Sequence, residues 1–131
     1  MYVGSGYITY RFKKVDFSIK SRVDGSLTEI TADMLDGVTN IRSFAFYNYS
    51  ALTSVIIPSS ITSIANYAFN GCRVLASVIV EATTPPTLGI NVFSNTSNNL
   101  VIYVPAGSVD TYKAASGWST YASQIQAIPN E

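Results

Sequence analysis

A chain of 131 residues, 47% hydrophobic and only 12% charged, is long enough to bury its own core and carries about half the ~25% charged residues usual for a soluble domain. Eight basic residues balance eight acidic ones, so no net field draws the protein to nucleic acid or to an anionic membrane surface. Histidine is absent and cysteine occurs once, which removes the usual general base near neutral pH, the commonest metal ligand and any internal disulfide.

The first segment, residues 1–22, carries Arg11, Lys13, Lys14, Lys20 and Arg22 against Asp16, a local excess of four positive charges. It alternates as one or two antiparallel strands do, with Tyr10 and Phe12 in phase and then Val15, Phe17 and Ile19. It either caps the next element or reaches another subunit as an assembly arm. The following carboxylates, Asp24, Glu29, Asp33 and Asp36, complement its charge. No basic stretch leads into an apolar run, and no run approaches the ~20 apolar residues of a membrane span, so neither an export signal nor membrane insertion is expected.

From residue 23 onward the chain repeats. Sliding the sequence by 23 positions lays Ile41, Ala45, Phe46, Leu52, Val55, Ile56 and Ile57 on Ile64, Ala68, Phe69, Leu75, Val78, Ile79 and Val80 without a gap. A looser copy follows, in which Phe93, Ile102, Val104 and Pro105 take the places of Phe46, Val55, Ile57 and Pro58, and a degenerate copy, "LTEITADMLDGVTNI", precedes them. About four units result. In each, the spacing L-x-x-V-x-I turns two residues to one face of a short strand, and Pro58 ends that strand because it has no N–H for a ladder. "SSITSI" then turns, "ANYAF" brings Ala68 and Phe69 inward as a single helical or 3₁₀-like turn, and Asn70-Gly71 closes the coil with the pair suited to positive φ. No unit buries its own apolar edge, so the units must stack. Phe46, Phe69 and Phe93 are expected to form one interior row, and Ile41 and Ile64 another.

After Pro105, Ser108 is placed to cap a short helix from Val109 to Ser116, with Asp110 in its first turn and Gly117 as its stop. Trp118, Tyr121, Ile125 and Ile128 then offer an apolar edge to lay over the final coil. The organisation read from the residues is therefore an N-terminal strand or arm at 1–22, a solenoid at 23–105 and a C-terminal cap at 106–131.

The stretch "LTSVIIPSSITSIANYAFNGC" resembles the leucine-rich repeats of the BspA type, found in bacterial surface proteins and some phage proteins, with residues 38–81 matching closely and 23–37 and 85–105 in part. The tail from Ile102 to Ile128 is similar to the segment that closes such arrays. Tyr49 departs from the small residue or cysteine of the repeat, and the proline pair in "EATTPPTLGINVF" interrupts it. The resemblance implies a mostly β, α/β repeat: a right-handed leucine-rich-repeat solenoid with a short parallel sheet, one strand per ~23-residue coil, and a cap with a short helix. It also implies a protein- or glycan-binding module, adhesin-like or receptor-recognising, on a cell surface or a phage virion. The alternative is a structural component of a phage particle or tail that self-associates.

No catalytic set emerges. Cys72 beside Gly71 reads as a small buried hydrophobe. The four carboxylates match no calcium loop, and Gly4-Ser5-Gly6 lacks the lysine and helix of a phosphate cradle. Asn48-Tyr49-Ser50 and Asn95-Thr96-Ser97 fit the glycosylation sequon. No cofactor, metal or nucleic acid is expected. What remains is the outward strand face. Alternation points Glu29 and Thr31, Ser54 and Ile56, Ser77 and Ile79, and Val101 and Tyr103 away from the core, so one row reads Thr31, Ile56, Ile79, Tyr103. Such a row is either ordinary strand composition, covered in part by the N-terminal arm, or a contact strip for a partner or a second copy. Tyr47, Asn48, Tyr49, Asn66 and Tyr67 fall on the opposite, turn-rich side.

Overall fold

The structure, a computed structural model, describes residues 27–129. Two parallel ladders run through it. The main sheet has five strands in the order β1 (Glu29–Ile30), β3 (Ser54–Ile57), β5 (Ser77–Val80), β7 (Val101–Val104) and β8 (Ile125–Ala127). The second has three: β2 (Asn40–Ile41), β4 (Ser63–Ile64) and β6 (Thr87–Leu88). Every pairing is parallel, as a solenoid requires when each coil returns to the same side.

Register explains the interior. Ile30 pairs with Val55, Val55 with Val78, Val78 with Ile102 and Ile102 with Ile125, a continuous row of five apolar side chains, each at most 2% exposed. Ile41, Ile64 and Leu88 form the matching row behind the second ladder. The expected phenylalanine row is present as a stack: Phe46 lies 5.1 Å from Phe69 at 7° between ring planes, and Phe69 lies 5.8 Å from Phe93 at 9°. Burial of like residues in rows gives each coil its neighbour's apolar edge to cover, which no coil supplies alone.

The second ladder is a finding beyond the single strand per coil read from the sequence. "SSITSI" does turn, but Ser63 and Ile64 then straighten and pair, and the Ser63 hydroxyl donates to the Asn40 side-chain oxygen in the coil before. Two residues are too few to register as an alternating pattern.

The third side of the coil is neither strand nor helix. Across 43–48 and 66–71 alternate backbone amides point in two directions. Ala68, Asn70 and Cys72 donate back along the chain to Ala65, Tyr67 and Phe69. Phe44, Phe46 and Asn48 donate instead to the next coil, at Asn66 O (3.1 Å), Ala68 O (2.7 Å) and Asn70 O (2.8 Å). Tyr67, Phe69 and Gly71 repeat this toward Ile90, Val92 and Ser94. The geometry needs two left-handed residues per coil, and they fall in register: Phe44, Tyr67 and Asn91 at one level, Asn48, Gly71 and Asn95 at the other. Gly71 at φ 81° satisfies the expected need for glycine, whereas Phe44 and Tyr67 hold φ near 60° at a steric cost of about 1–2 kcal/mol each. Their rings stack at 5.0 Å and 12°, which offsets part of that cost.

The third coil is one residue longer than the second, and the first, at 25 positions from Glu29 to Ser54, is longer by two. Register advances 23 positions from β3 to β5 but 24 from β4 to β6 and from β5 to β7, so the extra residue is absorbed between Glu81 and Pro86. Tyr49, at the position of Cys72 one coil later, is buried 6.3 Å from the Phe46 ring, while the Cys72 thiol donates to Phe46 O at 3.1 Å.

Beyond Pro105, a 3₁₀ turn at Ala106–Ser108 leads into α1 (Val109–Ala114), and a second 3₁₀ stretch at Trp118–Gln124 leads into β8. Ser108 stands at the N-cap position but makes no side-chain cap. Its hydroxyl donates instead to Thr83 O at 2.9 Å, because a buried hydroxyl facing the preceding coil finds a carbonyl there first. Gly117 adopts φ 83° with Leu88 O against the position a Cβ would take. The segment does more than lie over the last coil: β8 extends the main ladder by a fifth rung. Residues 1–26, with Arg11, Lys13, Lys14, Lys20 and Arg22 and the expected arm, lie outside the described residues, as does Asp24.

Candidate functional site

Among the described residues, the face of the main sheet and the turn edge align accessible side chains across successive coils. On the first, parallel register aligns Glu29, Ser54, Ser77 and Val101 in one row and Ile56, Ile79, Tyr103 and Gln126 in the next. Ser54, Ile56, Ser77, Ile79, Val101 and Tyr103 are all half-buried, while Glu29 and Gln126 are exposed. Thr31 does not join the second row. β1 ends at Ile30, and Thr31 opens the 3₁₀ turn at Ala32–Leu35, so it has no ladder partner. Asp33 lies in that turn and Asp36 just after it, so neither belongs to a strand of the strip.

Both rows are uncharged between Glu29 and Gln126. A hydroxyl row beside an apolar row, repeated at the ~4.8 Å strand spacing, offers hydrogen bonds and area but no proton-transfer pair. Among the described residues no group of three or more His, Cys, Asp or Glu is placed to hold a metal ion, and no helix is long and apolar enough to cross a membrane.

The second surface is the turn edge, which the sequence marks only by its tyrosines and asparagines. A cleft of about 520 Å³ opens there across three coils. Tyr47 and Asn48 come from one, Asn70, Gly71 and Arg73 from the next, and Asn95, Thr96 and Asn98 from the third. Its floor is fixed. Asn70 is 8% exposed and donates through its amide to Asn91 O at 3.0 Å, and the Thr96 hydroxyl donates to Phe93 O at 2.9 Å. At its margin Phe44 is 51% exposed and meets Tyr47 edge-on at 5.2 Å. Asn66 and Tyr67 stand beside it, and the Asn66 side-chain oxygen accepts from Ile90 N–H at 2.9 Å. Tyr49, by contrast, is buried and takes no part in the edge. Arg73 and Asn98 escape sequence reasoning because they sit outside the apolar repeat, Asn70 is marked there only as a turn residue, and nothing in their spacing shows that they share one cleft.

The model for the BspA type leucine rich repeat region matches residues 22–117, in six copies. Among curated proteins none matches the chain. The match begins before β1 and runs through α1, so it takes in every rung of both ladders except β8.

Proposed function

The chain belongs to the BspA-type leucine-rich repeat family, and from that premise we propose that it is a non-enzymatic recognition module whose main-sheet face contacts an extended, uncharged segment of a protein partner. A leucine-rich repeat domain is typically a binding scaffold, and no enzyme family is found for this one. The observation that carries the reading is the register of Ile56, Ile79 and Tyr103 beside Ser54 and Ser77. Large side chains held in a row by a rigid ladder lose little entropy on contact, and the absence of charge in the strip beyond Glu29 favours a partner segment without charge of its own. Display on a cell surface or a virion accords with such a role.

A library of random short peptides displayed on phage, panned against the full chain, tests this. Enriched peptides should lose about tenfold or more in affinity for the Ile56→Asp/Ile79→Asp variant, as expected when central contact residues are charged. Peptides that bind the double variant as well as the wild type exclude the strip. A wild-type dimer that becomes monomeric in the double variant, read by sedimentation, points instead to the assembly role.

A further inference from the structure

We propose that the turn-edge cleft is a binding site for a carboxylated sugar, such as a sialic or uronic acid at the end of a glycan. The cleft combines what a pyranose requires. One side of the sugar ring is a sheet of C–H bonds and packs on an aromatic face, and Tyr47, 38% exposed and held edge-on by Phe44, supplies a rigid ring at the margin. Its hydroxyls each need a donor and an acceptor, which a carboxamide provides in one planar group, and Asn48, Asn95 and Asn98 line the cleft.

Charge selects among sugars. Among the described residues Arg73 is the one charged residue lining the cleft, and no carboxylate joins it. A planar guanidinium among neutral amides favours a carboxylate, which it meets through two parallel hydrogen bonds. The cleft is also pre-organised. Asn48, Gly71 and Asn95 share the left-handed conformation in register, with φ of 59°, 81° and 61°, and the Asn48 and Gly71 amides bond to the next coil at 2.8 and 3.0 Å. The two outer coils therefore present Asn48 and Asn95 at a fixed separation, with Gly71 between them, before any ligand arrives.

This cleft lies on a different side of the coil from the sheet strip, so its failure would leave the protein-binding reading standing. The test uses the full chain made in bacteria, since Asn48 and Asn95 head sequons that a secretory pathway would modify. Calorimetric and amide-shift titrations take three probes: 3′-sialyllactose, a hyaluronan tetrasaccharide and lactose. At least one acidic sugar should bind and shift the Asn48, Gly71 and Asn95 amides, with lactose weaker by about tenfold or more. Arg73→Gln should remove that preference, Tyr47→Ala should weaken all binding, and Ile56→Asp should change nothing. Binding by sialyllactose alone, or by the hyaluronan fragment alone, decides which acid is recognised. Absence of binding by both acidic sugars up to about 10 mM, equal binding of lactose, an unchanged Arg73→Gln variant, or equal response to sodium acetate each overturns the proposal.

Discussion

The Tyr121 hydroxyl accepts the Phe93 amide N–H at 3.2 Å. In the two preceding coils the same amide is met by a backbone carbonyl, Phe46 N–H by Ala68 O and Phe69 N–H by Val92 O. Tyr121 thus replaces, with one side-chain oxygen, the carbonyl of a coil that does not follow, and its ring closes the phenylalanine stack edge-on to Phe93 at 5.5 Å and 81°. A solenoid has to stop somewhere, and here Tyr121 satisfies a buried donor and covers the last ring together with Trp118, 6.2 Å from Phe93.

Removing that oxygen while keeping the ring isolates the polar half of the device. Tyr121→Phe leaves a buried amide without its acceptor, a loss of about 1–3 kcal/mol. Urea denaturation should show a lower midpoint with the slope unchanged. A variant as stable as the wild type would mean that Phe93 N–H finds another partner.

Among the described residues Phe69 has a ring on each side, whereas Phe46 and Phe93 each have one phenylalanine neighbour. Phe69→Ala should cost about 3–5 kcal/mol, the range for emptying a packed aromatic site. Ile90→Ala, at 59% exposure, should stay within about 0.5 kcal/mol. The comparison is read by thermal and urea unfolding of the two variants.

Glycine is required at position 89 by space and not by φ. A Cβ there would sit 2.6 Å from Asn66 N and 2.8 Å from Ala65 C, both backbone atoms that cannot turn aside. Gly89→Ala should therefore destabilise by about 2 kcal/mol or more. Asn95→Gly, at φ 61°, should be neutral or stabilising, because the left-handed conformation costs glycine nothing. Equal effects of the two would contradict this account of the turn edge.

Burial pushes the Tyr112 hydroxyl above its ordinary pKa of 10.0, and in its neutral form it donates to Ala82 O at 2.6 Å. A pKa raised on folding means the folded state resists losing the proton. Its share of stability is complete below pH 10 and declines as pH rises past that value, by up to about 1.4 kcal/mol per unit. Tyr112→Phe should be less stable at neutral pH and should lose less than the wild type between pH 10 and 11, measured by urea titration at each pH. Parallel curves for the two proteins would remove Tyr112 from the alkaline transition.

The cap is held to the longer third coil by three side chains that address one loop: Ser108 to Thr83 O, Tyr112 to Ala82 O and Trp118 Nε1 to Pro86 O at 2.7 Å. The sequence marks the proline pair as an interruption and Trp118 as an apolar edge, yet nothing local says that one binds the other. Thirty-two residues separate Trp118 from Pro86, and their meeting depends on where the extra residue of that coil is absorbed.

The interior rows were legible because they follow from period alone. A repeat of 23 residues with alternating apolar positions places Val55 over Val78 and Phe46 over Phe69 whatever path the chain takes between them. Strand existence, the stop at Pro58 and the helix after Ser108 were equally local matters of alternation, a missing N–H and composition. The second ladder, the hydroxyl of Tyr121 in place of a carbonyl, and the gathering of Asn48, Arg73 and Asn95 into one cleft were not. The strands of that ladder are two residues long and show no alternation, and Tyr121 and Arg73 stand at no repeated position, so only the stacking of the coils brings these groups together.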